Sequence, residues 1–304
     1  MSEITVRAPA TVSNVVCGFD CLGFALEQPV DEVTVKKIDA PGVVIRHLDD
    51  FSLPEDPRRN VAGIALLAML EAAGADVGIE ATIHKHIRPG SGIGSSAASA
   101  CGAVAAANKL LDGRFSSDEL IGFAMEGEAL ASGARHADNA APCLLGGFVL
   151  VRSVEPLDVV RLAFPELWAV VIHPHIEIRT ADARSILPKM VSLSDAVRQW
   201  SNLGAFVSGL ASGDYELIAR SMEDVIIEPA RSALIPGFDE VKSAAIGAGA
   251  LGGGISGSGP SMFFLCRTRE EGLEAESAAR LAFLKTGFGC DAYLSGIAGG
   301  VSLV

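Results

Sequence analysis

The segment Arg88-Pro89-Gly90-Ser91-Gly92-Ile93-Gly94-Ser95-Ser96-Ala97-Ala98 limits what this chain can fold into more than any other stretch. It follows an alternating apolar and polar run, Ile79 to Lys85, that reads as a half-buried strand. An alanine-rich run from about Ser96 to Leu111, which reads as a helix, leaves it. Glycines let a backbone approach an anion closely, and a helix N-terminus aims free N–H groups and partial positive charge at it. The two serine hydroxyls stand where they can bond phosphate oxygens or a metal. A flexible Gly/Ser linker is the bland alternative, and the ordered elements on both sides count against it. No Gly-Lys-Ser/Thr follows, so this is not a Walker A loop, and neither the Rossmann turn nor the protein-kinase signatures are present.

Charge then bounds the partners. Acidic residues outnumber basic ones, 37 against 24, for a formal charge of −13. With no Lys/Arg run to override it, that balance argues against a nucleic-acid surface. A phosphate ligand would have to be met by a few arginines, a metal and backbone N–H groups. No apolar stretch is long enough to span a bilayer, and Met1 to Arg7 lacks the basic and apolar halves of a signal peptide, so a cytoplasmic protein without a membrane partner is expected. Cys17, Cys21, Cys101, Cys143, Cys266 and Cys290 form no C-x-x-C pair and no Cys/His cluster, which predicts free thiols. His84 and His86 share a strand face, but with no third ligand nearby they are expected to pack or face solvent.

The remaining elements are read from periodicity and punctuation. The first forty residues predict short strands, including 33–36, with 43–45 following a Pro-Gly turn. Asn60 to Ala73 predicts a helix ending near Gly74, and Ser116 to Glu119 a capping box for a helix to about Ser132. Gly146 to Arg152 reads as a strand, and Pro156 and Pro165 bracket a connection. Strands are predicted at 168–173, 261–267 and 291–295, and helices at 194–211, 214–224, 237–246 and 268–286. A second glycine-rich loop is predicted at 247–259. Strands and helices mix without a βαβ rhythm, which predicts an α+β fold in two lobes, 1–155 and 156–304.

Three motifs in order resemble those of the GHMP kinase superfamily. Pro89 to Ala98 is similar to its second motif, P-x-x-x-G-[LI]-G-S-S-A-A. Ala8 to Asn14 with Gly18-Phe19-Asp20 resembles the first, and Gly252 to Ser261 the third. The likeness covers nearly the whole chain. It implies an N-terminal nucleotide lobe and a ferredoxin-like C-terminal lobe, with ATP and Mg²⁺ bound between them. By resemblance, Pro89, Gly90, Ser91, Gly92, Ile93, Gly94, Ser95, Ser96, Ala97 and Ala98 cradle the phosphates and Asn60 lies near the adenine. Ser96 and Glu128 match the metal-ligating pair, a hydroxyl and a carboxylate suited to a hard cation that keeps several waters. Read without the likeness, Glu128 is a solvated helix position beside Glu126.

Gly133 to Asn139 separates the branches. Mevalonate kinases carry an aspartate at the place of Asn139; here His136-Ala137-Asp138-Asn139 is similar to the homoserine kinases. An amide can align a hydroxyl but cannot take its proton, which phosphoryl transfer through a loose transition state tolerates. Asn139, Glu128 and Ser96 are the catalytic candidates. The likeness makes Thr180 to Pro188 and Glu228 to Arg231 the arginine segments of a carboxylate clamp, in the planar geometry that Lys cannot supply. Asn14, Asp20, His136, Asn139, Thr180, Arg184, Arg231 and Gly257 are thus the expected substrate residues. Without the likeness, neither arginine stands out and His136 is a packed loop histidine. The implied reaction is ATP-dependent phosphorylation of homoserine, a step toward threonine, with no dedicated carboxylate base. A shikimate- or mevalonate-type kinase and a non-catalytic regulator of the same fold stay open, as do monomer and homodimer. One departure stands out: Val15-Val16-Cys17 replaces the usual Leu-Gly-Pro, while Asn14, Gly18 and Asp20 keep their spacing.

Overall fold

The protein is described by a computed structural model covering residues 3–74 and 77–304, the side chains of 131 and 132 excepted. The chain opens with two long strands, β1 (Glu3–Val15) and β2 (Gly18–Ile38), in place of the short ones expected. After the reversal at Gly18, nothing like the Pro41-Gly42 turn interrupts β2, and bulges between Pro9 and Thr11 and between Ser13 and Val15 absorb the irregularities. β3 (Gly42–His47), α1 (Val61–Ala73) and β4 (Gly78–His84) follow. Asn60 caps α1 through Oδ1, and Gly74 ends it in the left-handed conformation at φ 56°. Next come α2 (Ser95–Leu110), α3 (Ser117–Ser132), α4 (Ala140–Leu145), β5 (Phe148–Val154) and β6 (Leu157–Leu162). Both halves of the Ser116/Glu119 capping box are present.

The supposed connection after Pro156 is itself a strand: β6 pairs with β5 and extends the larger sheet, so residues 157–162 lie with the first lobe's strands. That sheet has seven strands, ordered β11-β1-β2-β4-β3 with β11 the C-terminal strand Ser302–Leu303, and with β5 and β6 branching from β2. Helix α2 is buried on nearly every side, because its small residues admit close neighbours. A Cβ on Gly102 would stand 2.7 Å from Val33 Cγ2.

The second lobe is built on β7 (Trp168–Pro174), α5 (Thr180–Ser185), α6 (Leu193–Ser212), α7 (Tyr215–Ser221), α8 (Glu228–Arg231) and α9 (Phe238–Gly247). β8 (Gly252–Ile255), β9 (Met262–Cys266), α10 (Arg269–Leu284), β10 (Cys290–Gly296) and β11 (Ser302–Leu303) complete the chain. Helix α7 stops short of the expected 224 because the Asp224 carboxylate draws in the N–H groups of Ile226, Ile227 and Glu228. The glycine run at 252–255 is a strand rather than a loop. A Cβ on Gly253 would come within 2.0 Å of the Phe263 carbonyl oxygen, so the sheet itself requires glycine there. A four-stranded antiparallel sheet, β10-β7-β9-β8, carries α9 and α10. β11 then returns to pair with β1 in the first sheet. Among the described residues, no helix is long and apolar enough to cross a membrane.

Candidate active site

Where the two lobes meet, a cavity of ≈ 440 Å³ opens beside the N-terminus of α2. Gly90, Gly92 and Gly94 take φ values of 73°, 80° and 69°, a left-handed sequence that L side chains resist. Two of the three also need the missing side chain for space. A Cβ on Gly92 would meet the Gly259 carbonyl oxygen at 2.6 Å, and one on Gly94 would meet Thr11 Oγ1 at 2.0 Å. Gly94 gives α2 no side-chain cap, so the first amides of the helix have no helical partner and are left for a ligand. The loop carbonyls are fixed from the second lobe: Ser256 Oγ donates to Gly92 O at 2.7 Å and Ser261 Oγ to Ser91 O at 2.6 Å. Behind Ser261 stands buried His173, its Nδ1 3.1 Å from Ser261 Oγ. Desolvation pushes the His173 pKa down to about 4.

The two serines of the loop part ways. Ser95 Oγ donates to the Ile87 carbonyl, which spends the hydrogen it could otherwise give a phosphate oxygen. Ser96 faces the cavity and hydrogen-bonds the Glu128 carboxylate, which α3 brings to the same wall. Burial pushes the Glu128 pKa up to about 7; the bond from Ser96 and the nearby charge of Lys85 offset part of that. A hydroxyl and a desolvated carboxylate, both hard oxygen donors beside a phosphate-type loop, fit Mg²⁺. Among the described residues, no group of three His, Cys, Asp or Glu side chains could hold a metal by itself.

Lys85 escaped the sequence reading. Its Nζ donates to Asp31 Oδ2 at 2.5 Å, to Ser95 O at 2.9 Å and to Ser99 Oγ at 2.8 Å. Asp31 Oδ1 in turn accepts the N–H groups of His86 and Ile87 at 2.8 Å. This buried pair fastens the stem of the loop to the first turn of α2. A signal was available: Ile79, Ala81, Ile83 and Lys85 share one phase of the strand alternation, and a lysine on the apolar phase needs a buried partner.

Asn14, Asp20, His136, Asn139, Thr180, Arg184, Arg231 and Gly257 all line the same cavity, from elements spread over the whole chain. Asn14 adopts φ 56°, with Nδ2 donating to Gly257 O at 2.8 Å and Oδ1 accepting Asp20 N–H at 2.7 Å. The turn with Val15-Val16-Cys17 therefore keeps its polar contacts. Asp20 and Arg184 pair with each other, Nη2 to Oδ1 at 2.9 Å, and His136 Nε2 lies 3.1 Å from the same Nη2. Arg231 is buried, its Nε donating to Ala183 O and its Nη1 to Gly257 O. The Phe19 ring supports both guanidinium groups, at 5.6 and 5.1 Å. Desolvation lowers the pKa of His136 and of Arg231. Asp138, beside Asn139, is almost fully buried, which with the charge of Asp20 pushes its pKa up to about 7.

Not every expected residue offers its side chain. Asn60 lines the cavity, but Oδ1 caps α1 while Nδ2 donates to Pro54 O at 2.7 Å and lies 3.0 Å from His47 Nε2. It shapes the wall rather than presenting a free amide. Ile93, Ala97 and Ala98 are buried behind the loop, and Ala98 N–H is spent on Gly94 O. The His84 and His86 rings lie 4.3 Å apart at a tilt of 51°, outside the cavity lining.

Comparison with known proteins identifies the family and the fold. The model of the GHMP kinases N-terminal domain matches residues 60–147, and that of the GHMP kinases C-terminal domain matches 206–285. The chain is 51% identical to the homoserine kinase of Chloroherpeton thalassium over 276 residues, 86% of each chain. It is 39% identical to that of Methanocella arvoryzae over 306 residues, covering 100% of this chain and 98% of the other. The crystal structure of homoserine kinase from Cytophaga hutchinsonii superposes with a TM-score of 0.96 at 51% identity, over 100% of this chain and 98% of that one. The L. major mevalonate kinase shares the fold alone, with a TM-score of 0.74 at 16% identity over 99% of this chain and 100% of that one. The two-lobed α+β fold and its glycine-loop cleft are those of an ATP-dependent small-molecule kinase of the GHMP class. Within that class, the chain belongs to the homoserine kinase family.

Proposed function

We propose that this protein transfers the γ-phosphoryl group of ATP to the side-chain hydroxyl of L-homoserine, yielding O-phospho-L-homoserine and ADP. One observation carries the reading: the residues of the phosphate loop, the charged side chains Asp20, Arg184 and Arg231, and Asn139 all line a single cavity. The loop amides at the start of α2 take the phosphates. Ser96 and Glu128 hold Mg²⁺, which when bound neutralises phosphate charge during transfer. Arg184 and Arg231 take the substrate carboxylate; Asp20, backed by Asn14, takes the ammonium. Thr180, His136 and Gly257 close around the substrate backbone. Residues 1–155 serve as the ATP-binding N-terminal lobe and 156–304 as the C-terminal lobe, both contributing substrate residues, with β6 and β11 joining the first sheet.

The Asp20–Arg184 pair gives the reading a physical logic. A zwitterionic amino acid can replace both partners at once, ammonium for Arg184 and carboxylate for Asp20, so neither charge is left unpaired. A ligand with only one of the two charges strands a partner. In the transfer itself, the substrate oxygen bonds to phosphorus as the bond to the ADP oxygen breaks. The hydroxyl proton departs late, to phosphate oxygen or water, with Asn139 aligning the oxygen rather than taking the proton.

The test is ADP release from ATP with homoserine, shikimate, mevalonate or galactose as acceptor. Homoserine alone should support rapid release. Comparable turnover of shikimate would show that a carboxylate suffices, and the amino-acid reading would fall.

A further inference from the structure

Asn139 stands at the N-terminus of α4, yet its side chain makes no capping bond there. The amide is held instead by two hydroxyls of β1. Thr11 Oγ1 donates to Asn139 Oδ1 at 2.7 Å, and Asn139 Nδ2 donates to Ser13 Oγ at 2.9 Å. Alternate residues of a strand share a face, so Thr11 and Ser13 reach the same partner. Both are buried, at 0% and 1% exposure, which excludes water as a competitor. The two bulges of β1 bracket this stretch, one before Thr11 and one after Ser13, and bulges re-aim side chains beside functional sites.

Thr11 and Ser13 also tie the two glycine loops together. Thr11 N–H donates to Ile93 O at 3.1 Å, and Gly257 N–H donates to Ser13 O at 3.0 Å. A side chain on Gly94 would collide with Thr11 Oγ1. One short length of strand thus sets the phosphate loop, the loop of the second lobe and the asparagine between them in a single register.

Hydroxyls can donate or accept, so the clamp alone allows either orientation of the amide. Ser13 decides it. When the Asp138 carboxylate is ionised it draws the Ser13 hydrogen, and toward Asn139 Ser13 then accepts, as it does from Nδ2. Nδ2 therefore faces Ser13 and Oδ1 faces Thr11, and no described residue takes the second hydrogen of Nδ2 on this cavity-lining side chain. An amide torsion is otherwise broad and roughly two-fold, and it would not choose this orientation by itself.

We propose that Thr11 and Ser13 are positioning residues that fix the Asn139 amide so that its free N–H is aimed at the oxygen of the acceptor hydroxyl. The inference rests on the homoserine-phosphorylating reading above. It predicts a loss in the chemical step without a loss in binding. Thr11→Val and Ser13→Ala should each lower kcat by ~10–100-fold, the scale of a small misplacement of a reacting group, while KM for ATP and homoserine stays within about twofold. Thr11→Ser, which restores the hydroxyl, should recover kcat to within about threefold of wild type. In an Asn139→Ala background, Thr11→Val should cost nothing further, because its partner is already gone.

Steady-state kinetics of these variants by ADP release, with melting temperatures as a check on folding, decides the matter. Thr11→Val and Thr11→Ser carry the test by themselves if Ser13→Ala folds poorly. Unchanged kcat in Thr11→Val, equal losses in the presence and absence of Asn139, or failure of Thr11→Ser to recover activity would overturn the positioning role. A wild-type protein inactive on homoserine would instead overturn the functional reading on which it rests.

Discussion

Glu128 should make the protein less stable in order to make it active, and the size of that conflict follows from its burial. Its pKa is raised from 4.5 to about 7, chiefly by desolvation. The folded state therefore retains a proton that the unfolded chain releases between those values. Stability should fall as pH rises through that window and level off above about pH 7, where the buried charge exacts its full cost. At 1.36 kcal/mol per pH unit, the interval corresponds to roughly 3 kcal/mol. Glu128→Gln, a neutral isostere, removes the titration. Urea unfolding of both proteins from pH 5 to 8.5, without metal, should show near-equal stability at pH 5 and a variant more stable by about 2–3 kcal/mol at pH 8. Adding Mg²⁺ and ATP should stabilise the wild type and narrow the gap, whereas the variant should lose Mg²⁺-dependent turnover. Parallel stability profiles across the whole range would refute the argument, since they would mean that Glu128 gains no proton on folding.

Three further outcomes are expected. Arg184→Leu should raise KM for homoserine at least ~30-fold, the low end for truncating a charged pair because Arg184 is partly exposed, and leave KM for ATP unchanged; initial rates against both substrates check this. Lys85→Met should destabilise the fold by about 3–5 kcal/mol in urea unfolding, because it strands Asp31 at 0% exposure, and Lys85→Met/Asp31→Leu should recover part of the loss. Because the folded His173 has a pKa of about 4, below its ordinary 6.5, neutral His173 contributes stability that is lost as pH falls from about 6.5 toward 4; His173→Asn should flatten that limb of the unfolding profile.

What the sequence determined by itself lies within a few residues of its signal. The Gly90–Gly94 turn, the Ser116/Glu119 capping box and the ends of α1 at Asn60 and Gly74 follow from backbone freedom and short-range bonds to free N–H groups. Such interactions close over one turn of chain, so the residues that make them sit together in the text. The motif likeness added which side chains converge, and all eight expected substrate residues do line one cavity.

Partners distant in the chain were decided only by the tertiary structure. Thr11 and Asn139 stand 128 positions apart, and Asp20 and Arg184 164 apart. No periodicity announces that a hydroxyl on β1 will meet an amide at the start of α4. Ser95 and Asn60 resemble ligand-facing residues until folding gives their polar atoms partners at Ile87, Pro54 and His47. Glycines 252–254 read as a loop because nothing local reveals the carbonyl of Phe263 pressed against Gly253. Lys85 lies between these cases: its place on the apolar phase is written in the strand, but Asp31 as its partner is not. A buried polar group must be satisfied wherever the chain happens to bring a partner. That choice is settled by packing, which the order of residues specifies only as a whole.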